Sequence, residues 1–299
     1  MPAMLILNPQ AAKGKNNVCF DTVYRFFEEN SIPFDRETTA DVGHAEEIAK
    51  SAAEKGYNWI IAVGGDGTVN EVLNGILQSG KQVEFGIIPN GTCNDFIKAI
   101  EIPDDIDRAC HIIKDGYSKA CDVIRIGDRF SLNAAGVGFD VAVTLALKES
   151  TFLTGLPMYL SAVLRNLFRF KGMELEIEME DEKFHKKAMM LTVANGKTFG
   201  GDFKIAPGAD PADGLMDVIL INDIPAHKRV QALINVMKGT HLRLPDVEFF
   251  LVRRITISSD SSMMFQIDGE LKHFESNRIT LELLPGCQKI FVPRSLLDE

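Results

Sequence analysis

The sequence predicts an α/β domain followed by an all-β domain. Three observations lead there. Strand and helix patterns alternate through the amino-terminal part; a glycine-rich turn, Gly64-Gly65-Asp66-Gly67-Thr68, joins an apolar run to an amphipathic one; after about Asp122 the pattern changes to strands with few helices. Ala3 to Leu7 reads as a strand, and Phe20, Val23, Tyr24 and Phe27 recur at helical spacing. Phe34 to Thr38 reads as the next strand, and Ile48, Ala49, Ala52 and Ala53 mark the next helix. Trp59 to Val63 is a short continuous apolar run, as expected of a parallel strand covered on both faces. Val69, Val72, Leu73, Ile76 and Leu77 then form a helical stripe, followed by a strand at Phe85 to Ile88, a loop from Pro89 to Asp95, and helical spacing at Ile106, Ala109, Cys110 and Ile113. In such a parallel sheet ligands bind beyond the carboxyl ends of the strands. Asn8-Pro9, Thr38-Thr39, Gly64 to Thr68 and Asn90 to Asp95 should therefore converge on one edge.

The second part opens differently. Glu174 to Glu180 alternates strictly between glutamate and apolar residues, giving a strand with one wet face and one core face. Further strands are expected at Ala188 to Ala194, Met216 to Ile221, Phe249 to Ile257, Met263 to Ile267 and Ile279 to Leu283, arranged as an antiparallel sandwich or open barrel. Two domains are expected, 1–122 and 123–284.

Composition narrows the function. The chain has 299 residues, is 45% hydrophobic and carries a formal net charge of -10, which suits a globular protein and argues against broad nucleic-acid binding. Its 5 cysteines are scattered, with no CxxC pair, and fit a reducing compartment better than a disulfide framework. No export signal opens the chain, and the longest apolar region, Leu132 to Leu147, is too short and too interrupted to span a membrane.

The turn after Trp59 to Val63 places backbone N–H groups at a helix amino end, a natural seat for phosphate. It matches neither the P-loop nor the Rossmann glycine pattern. A carboxylate at Asp66 beside phosphate calls for a divalent cation or a transferable proton between them. Taken alone, the same residues would serve equally as a capped tight turn.

Asn8-Pro9, Gly64-Gly65-Asp66-Gly67-Thr68, Gly91-Thr92-Cys93-Asn94-Asp95-Phe96 and Asp268-Gly269-Glu270, in this order, resemble the diacylglycerol kinase catalytic family. The resemblance covers nearly the whole chain and suits that family's compact bacterial lipid kinases, which are related to sphingosine and ceramide kinases. It implies an amino-terminal Rossmann-like, phosphofructokinase-like nucleotide domain, also akin to NAD kinase, and a carboxyl-terminal β-sandwich that takes the lipid substrate. It also implies that residues 285–299 return to the first domain. By the resemblance, ATP contacts Asn8, Pro9, Gln10, Ala11, Ala12, Thr39, Gly65, Asp66, Gly67, Thr68, Val69, Asn70, Glu71 and Thr92. Lys13 or Lys15 offers a mobile positive charge. Asp66, Asp95 and Asp122 match an acidic network around catalytic Mg2+, and Glu270 matches a general base for the acceptor hydroxyl. Asp268-Gly269 also reads as a hairpin turn. Where relatives carry arginine after Asn-Asp-Phe-Ala, Lys98 stands here and offers no bidentate fork.

A second, structural magnesium is implied at Asp210, Asp213 and the Leu215 carbonyl; Pro211-Ala212-Asp213-Gly214 is also a good turn without an ion. Leu156 to Phe170 places Leu160, Val163, Leu164, Leu167 and Phe168 on one helical face, with Arg165, Arg169 and Lys171 nearby. It suits either a membrane surface or ordinary packing. The expected enzyme phosphorylates a lipid hydroxyl, diacylglycerol foremost, and works from the cytoplasm at the inner membrane surface. Sphingosine-like bases, ceramide, monoacylglycerol and phosphatidylglycerol stay open as acceptors. Exposed sheet edges leave room for a homodimer that no pattern demonstrates. An NAD kinase shares the GGDG turn, but this chain lacks the Thr-Gly-Ser-Thr-Ala-like segment expected there and carries Asp-Gly-Glu instead; a sensing module without turnover is the remaining alternative.

Overall fold

The computed structural model describes residues 2–11, 16–148, 156–180, 182–201 and 203–297. The chain divides into two compact units, Met1–Val123 with Pro285–Glu299, and Ile124–Leu284.

The first unit is a parallel sheet with helices. Strand β1 (Ala3–Leu7) is wholly buried and lies between β2 (Phe34–Thr38) and β3 (Trp59–Gly64); β3 then pairs with β4 (Glu84–Pro89), all in parallel. Four helices connect and cover these strands: α1 (Asn16–Glu29), α2 (His44–Glu54), α3 (Asp66–Ser79) and α5 (Ile106–Asp115), with the single turn α4 (Asp95–Ala99) before α5. The expected apolar stripes face inward: Val23 and Phe27 of α1, Ile48 and Ala52 of α2, Val72, Leu73 and Ile76 of α3, and Ala109 and Ile113 of α5 are all buried. Burying one such aliphatic side chain contributes about 1.5–3 kcal/mol, which outweighs the weak helix propensity of the β-branched residues among them.

Two strands contribute to both units. β5 (Ser118–Ile126) pairs through its last residues with β6 (Arg129–Ser131). β15 (Arg278–Phe291) begins antiparallel to β12 (Arg254–Ser258), and near its end Lys289 and Ile290 pair in parallel with Glu84 and Phe85 of β4.

The second unit is antiparallel and centred on β9 (Glu182–Ala194). Its first half pairs with β8 (Met173–Met179); its second half pairs with β7 (Ala134–Gly138) on one side and β10 (Met216–Asn222) on the other. β8 continues to β12 and β15, β10 continues to β11 (Val247–Val252), and β7 continues to the hairpin of β13 (Met263–Ile267) and β14 (Glu270–Phe274). One core fills the sandwich with Leu175, Ile177, Leu191, Val218, Ile255, Phe265 and Leu281 among others. The opposite face of β9 and β10 is covered by α6 (Phe139–Lys148), α7 (Leu156–Leu167) and α8 (Ala226–Lys238), forming a second core with Val143, Val163, Leu167, Met189, Ile219 and Val236.

Three expectations are corrected here. Phe249 to Ile257 is not one strand: the chain breaks at Arg253, and β11 and β12 join different neighbours. The second part is not poor in helices, since α6, α7 and α8 are needed to cover one face of its sheet. The residues Val163, Leu164, Leu167 and Phe168 do not act as one stripe, because Val163 and Leu167 are buried while Leu164 and Phe168 are 47% and 57% exposed. The Leu160 side chain lies outside the described residues. No helix among the described residues is long and apolar enough to cross a membrane.

Candidate active site

In the first unit the carboxyl ends of β1 to β4 share one edge, because all four strands run the same way. Their loops are tied across it. The backbone N–H of Asn8 donates to Val63, that of Thr39 to Leu7, and that of Asn90 to Gly64, at 2.8–3.1 Å. The Asn8 side chain reaches the next turn, its amide donating to Thr68 Oγ1 at 2.7 Å, while its Oδ1 accepts the Gln10 N–H.

The two glycine turns approach backbone to backbone. A Cβ built on Gly91 would lie 2.5 Å from the Gly65 Cα, so neither turn tolerates a side chain there. Helix α3 starts in this space with Gly65 at its cap, a residue with no side chain to bond the first turn. Uncapped N–H groups beside a surface of bare backbone suit an anion such as a nucleotide phosphate. Asp66 bridges the same turns: its Oδ1 accepts the Asp95 backbone N–H at 2.7 Å. Asp95 is buried, and its own carboxylate is 3.1 Å from the ammonium of Lys98, the lysine whose bidentate role the sequence put in doubt.

The other expected residues of this unit divide by exposure. Pro9, Gln10, Ala11, Gly65, Asp66, Gly67 and Thr92 keep accessible surface, whereas Thr39, Thr68, Val69 and Asn70 are buried. Glu71 spends both carboxylate oxygens on the start of α2, accepting the N–H groups of Gly43 at 2.9 Å and Ala45 at 3.2 Å. Asp122 is 2% exposed, and its Oδ1 accepts the Gly286 N–H at 2.7 Å, tying β5 to β15. Ala12, Lys13 and Lys15 lie outside the described residues.

In the second unit Glu270 is exposed at the start of β14, directly after a two-residue turn in which Asp268 has φ 45° and Gly269 φ 91°. Such positive φ values suit a tight hairpin with Asp-Gly at its corners. The buried Asp268 carboxylate anchors that hairpin, accepting from the Ser131 hydroxyl at 2.6 Å and from the N–H groups of Leu132, Asn133 and Ala134. In the loop carrying Asp210 and Asp213, each carboxylate turns back on its own chain: Asp210 Oδ1 accepts the Ala212 N–H and Asp213 Oδ1 the Leu215 N–H. Burial, helped by the charge of Asp213, pushes the Asp217 carboxyl up to about 6.

Two residues of the quoted motifs had no positioning role assigned in the sequence reading. Asn94, at φ 48°, binds the Gly91 N–H through Oδ1 and Asp104 through Nδ2, and so fixes the second glycine turn. An asparagine flanked by turn residues is the signal that could have found it, since asparagine tolerates the left-handed region. Asp268 read only as a hairpin corner, because the partners of its carboxylate lie more than a hundred residues away in the chain.

Residues 2–126 match the model of the diacylglycerol kinase catalytic domain, and residues 133–292 match the YegS C-terminal NAD kinase beta sandwich-like domain. A diacylglycerol kinase of Staphylococcus aureus (strain JH9) is 30% identical over 264 residues, 87% of this chain and 82% of the relative. The chain belongs to the diacylglycerol kinase family. Another diacylglycerol kinase, from Bacillus subtilis (strain 168), is 28% identical over 90% of this chain and 89% of its own length. The crystal structure of a diacylglycerol kinase from Bacillus anthracis str. Sterne shares the fold, with a TM-score of 0.77 at 21% identity over 99% of this chain and 98% of that one. Like its family, the chain is a kinase, a phosphotransferase.

Proposed function

We propose that this diacylglycerol kinase family member transfers the γ-phosphoryl group of ATP, with magnesium, to a lipid hydroxyl, diacylglycerol foremost, giving phosphatidic acid. The observation that carries the reading is the contact of the Gly65 and Gly91 turns over the uncapped start of α3, with Asp66 spanning both. Phosphoryl transfer requires positioning and charge neutralisation more than covalent chemistry, and this surface offers both. The triphosphate would lie along the backbone of Gly65, Gly67 and Gly91, with Asn8, Pro9, Gln10, Ala11, Thr39, Thr68 and Thr92 around it. Val69, Asn70 and Glu71 support the turn from behind.

The donor set suits magnesium. This ion keeps several waters and takes one or two carboxylates directly. Asp66 and Asp95 would hold the ion, with Asp122 in the same acidic set through water. The bound cation would screen the phosphate charge. Glu270, presented on a hairpin that Asp268 anchors, would take the acceptor hydroxyl's proton as its oxygen attacks phosphorus. Asp210 and Asp213, with the Leu215 carbonyl, would hold a structural magnesium whose oxygen donors match a hard cation; the two turns seen there leave the second oxygen of each carboxylate outside those turn bonds.

The lipid acceptor lies at a bilayer, and the second unit has a surface suited to it. Leu164 and Phe168 are exposed among the exposed cations Arg165, Arg169 and Lys171, and α8, which packs on α7, exposes Val230, Ile234 and Met237. Apolar side chains flanked by positive charge suit an anionic lipid surface. The enzyme would then work on the inner face of the membrane.

The test is transfer of labelled phosphate from ATP to an unfractionated lipid extract, with magnesium, followed by identification of the labelled species. Diacylglycerol should gain phosphate. Asp66→Ala and Glu270→Gln should each lower turnover about a hundredfold or more with circular dichroism unchanged; full activity in both would refute the assigned roles.

A further inference from the structure

The second glycine turn is held from two sides. On one side the Asp66 carboxylate accepts the Asp95 backbone N–H at 2.7 Å. On the other stands Asn94, buried and left-handed at φ 48° and ψ 56°. Its side-chain amide closes the turn on itself: Oδ1 accepts the Gly91 N–H at 3.1 Å, while Nδ2 lies 3.4 Å from the Gly91 carbonyl, a long contact. The short bond of this amide is its third, from Nδ2 to Asp104 Oδ1 at 2.8 Å.

An asparagine amide has two orientations of nearly the same shape. Turned by half a rotation, Asn94 would set its NH2 against the Gly91 N–H and its oxygen against both the Gly91 carbonyl and the Asp104 carboxylate; as it stands, all three contacts pair a donor with an acceptor. Asp104 is the strongest of these partners, because a carboxylate is ionised and only accepts. It stands on a firm base. Ile100 and Ile102 beside it are buried, the Ile102 N–H donates to the Ile97 carbonyl at 3.0 Å, and α5 begins two residues later. The neighbouring Asp105 has a different partner: its Oδ1 caps α5 by accepting the Arg108 N–H at 2.8 Å. Of two adjacent aspartates, one holds the helix and the other reaches back ten residues to the turn.

We propose that Asp104 is a positioning residue for the nucleotide: by fixing the Asn94 amide it keeps the Gly91 turn against the Gly65 turn, in the shape that receives the triphosphate, without touching the nucleotide itself. The proposal rests on the nucleotide reading above. The contact between the turns leaves no slack, since a Cβ on Gly91 would lie 2.5 Å from both the Gly65 Cα and the Asn94 Oδ1. An Asn94 amide that rotates or withdraws therefore moves the turn. What the turn requires from position 104 is an acceptor rather than a charge. A negative charge near a triphosphate opposes binding, and Asp104 is exposed, so water and salt screen that cost.

Calorimetric titration of the purified protein with ATP and magnesium, together with amide hydrogen exchange of the nucleotide-free protein, tests this. Asp104→Ala should raise the Kd for ATP about tenfold and speed exchange across residues 91–95, with little change in melting temperature because the residue is exposed. Asp104→Asn, whose amide oxygen still accepts from Asn94, should stay within about twofold of the parent in both measurements. Asp105→Ala removes the α5 cap and should lower the melting temperature while ATP affinity is kept. Asn94→Ala should also weaken ATP binding, and adding Asp104→Ala to it should weaken binding no further. Parental ATP affinity in Asp104→Ala, an equal loss in Asp104→Asn or in Asp105→Ala, or additive losses in the double variant would each overturn the proposal. A parent that binds no ATP, with exchange across the turn quickened in Asp104→Ala and not in Asp104→Asn, would sustain the hold of Asp104 on the turn and refute the nucleotide reading instead.

Discussion

Gly91 shows how much one hydrogen atom decides in this protein. A methyl group there would meet the Gly65 Cα and the Asn94 Oδ1, each at 2.5 Å, and the first is backbone that cannot rotate away. Relief requires separating the two turns that build the proposed phosphate surface, at a cost on the order of 1–3 kcal/mol. Gly91→Ala should therefore raise the Kd for ATP about tenfold or more while the protein stays folded, as checked by nucleotide titration and thermal melting. Unchanged ATP affinity would separate the glycine contact from the nucleotide site. Asp268 has a comparable influence in the second unit, where one carboxylate takes four hydrogen bonds and thereby fixes the hairpin that presents Glu270.

Among the elements, α7 is amphipathic in two directions, with Val163 and Leu167 facing the core and Leu164 and the following Phe168 facing outward. Leu164→Asp should weaken binding to anionic vesicles by about tenfold or more, given the about 1.5–3 kcal/mol that a leucine gains on burial. Activity on a short-chain soluble acceptor should be largely kept, and equal loss in both assays would point to damaged folding. The long regular elements of the first unit were legible in the sequence because their periodicity follows directly from burial on one or both faces. Helix α8 was not. It buries Arg229 where an apolar residue would mark the stripe, and it exposes Val230, Ile234 and Met237 where polar residues would mark the wet face. The break at Arg253 was equally silent, because β11 and β12 are separated by their choice of partner strands rather than by a glycine or proline.

At the scale of the whole molecule, Asp140 should leave a signature in stability against pH. Its carboxyl is raised from 3.8 to about 7 in the folded protein, so over that interval the folded state holds a proton that the unfolded chain has released. Stability contributed at this site therefore falls as pH rises from about 4 to 7 and is level above it, by at most about 4 kcal/mol. Denaturant melts at pH 5 and pH 8 should show Asp140→Asn gaining stability relative to the parent at the higher pH; parallel behaviour would mean that Asp140 is ionised in the fold. The sequence by itself determined the succession of an α/β and an all-β part, and four ordered motifs sufficed for the family, since local periodicity and short turns are written in neighbouring residues. Only the tertiary structure decided that β9 belongs to two strand neighbourhoods, that Asp268 anchors the Glu270 hairpin, and that Asp140 is buried with one carboxylate oxygen lacking a hydrogen-bond partner. Each of these depends on which distant segments meet, and such meetings are set by the packing of whole faces.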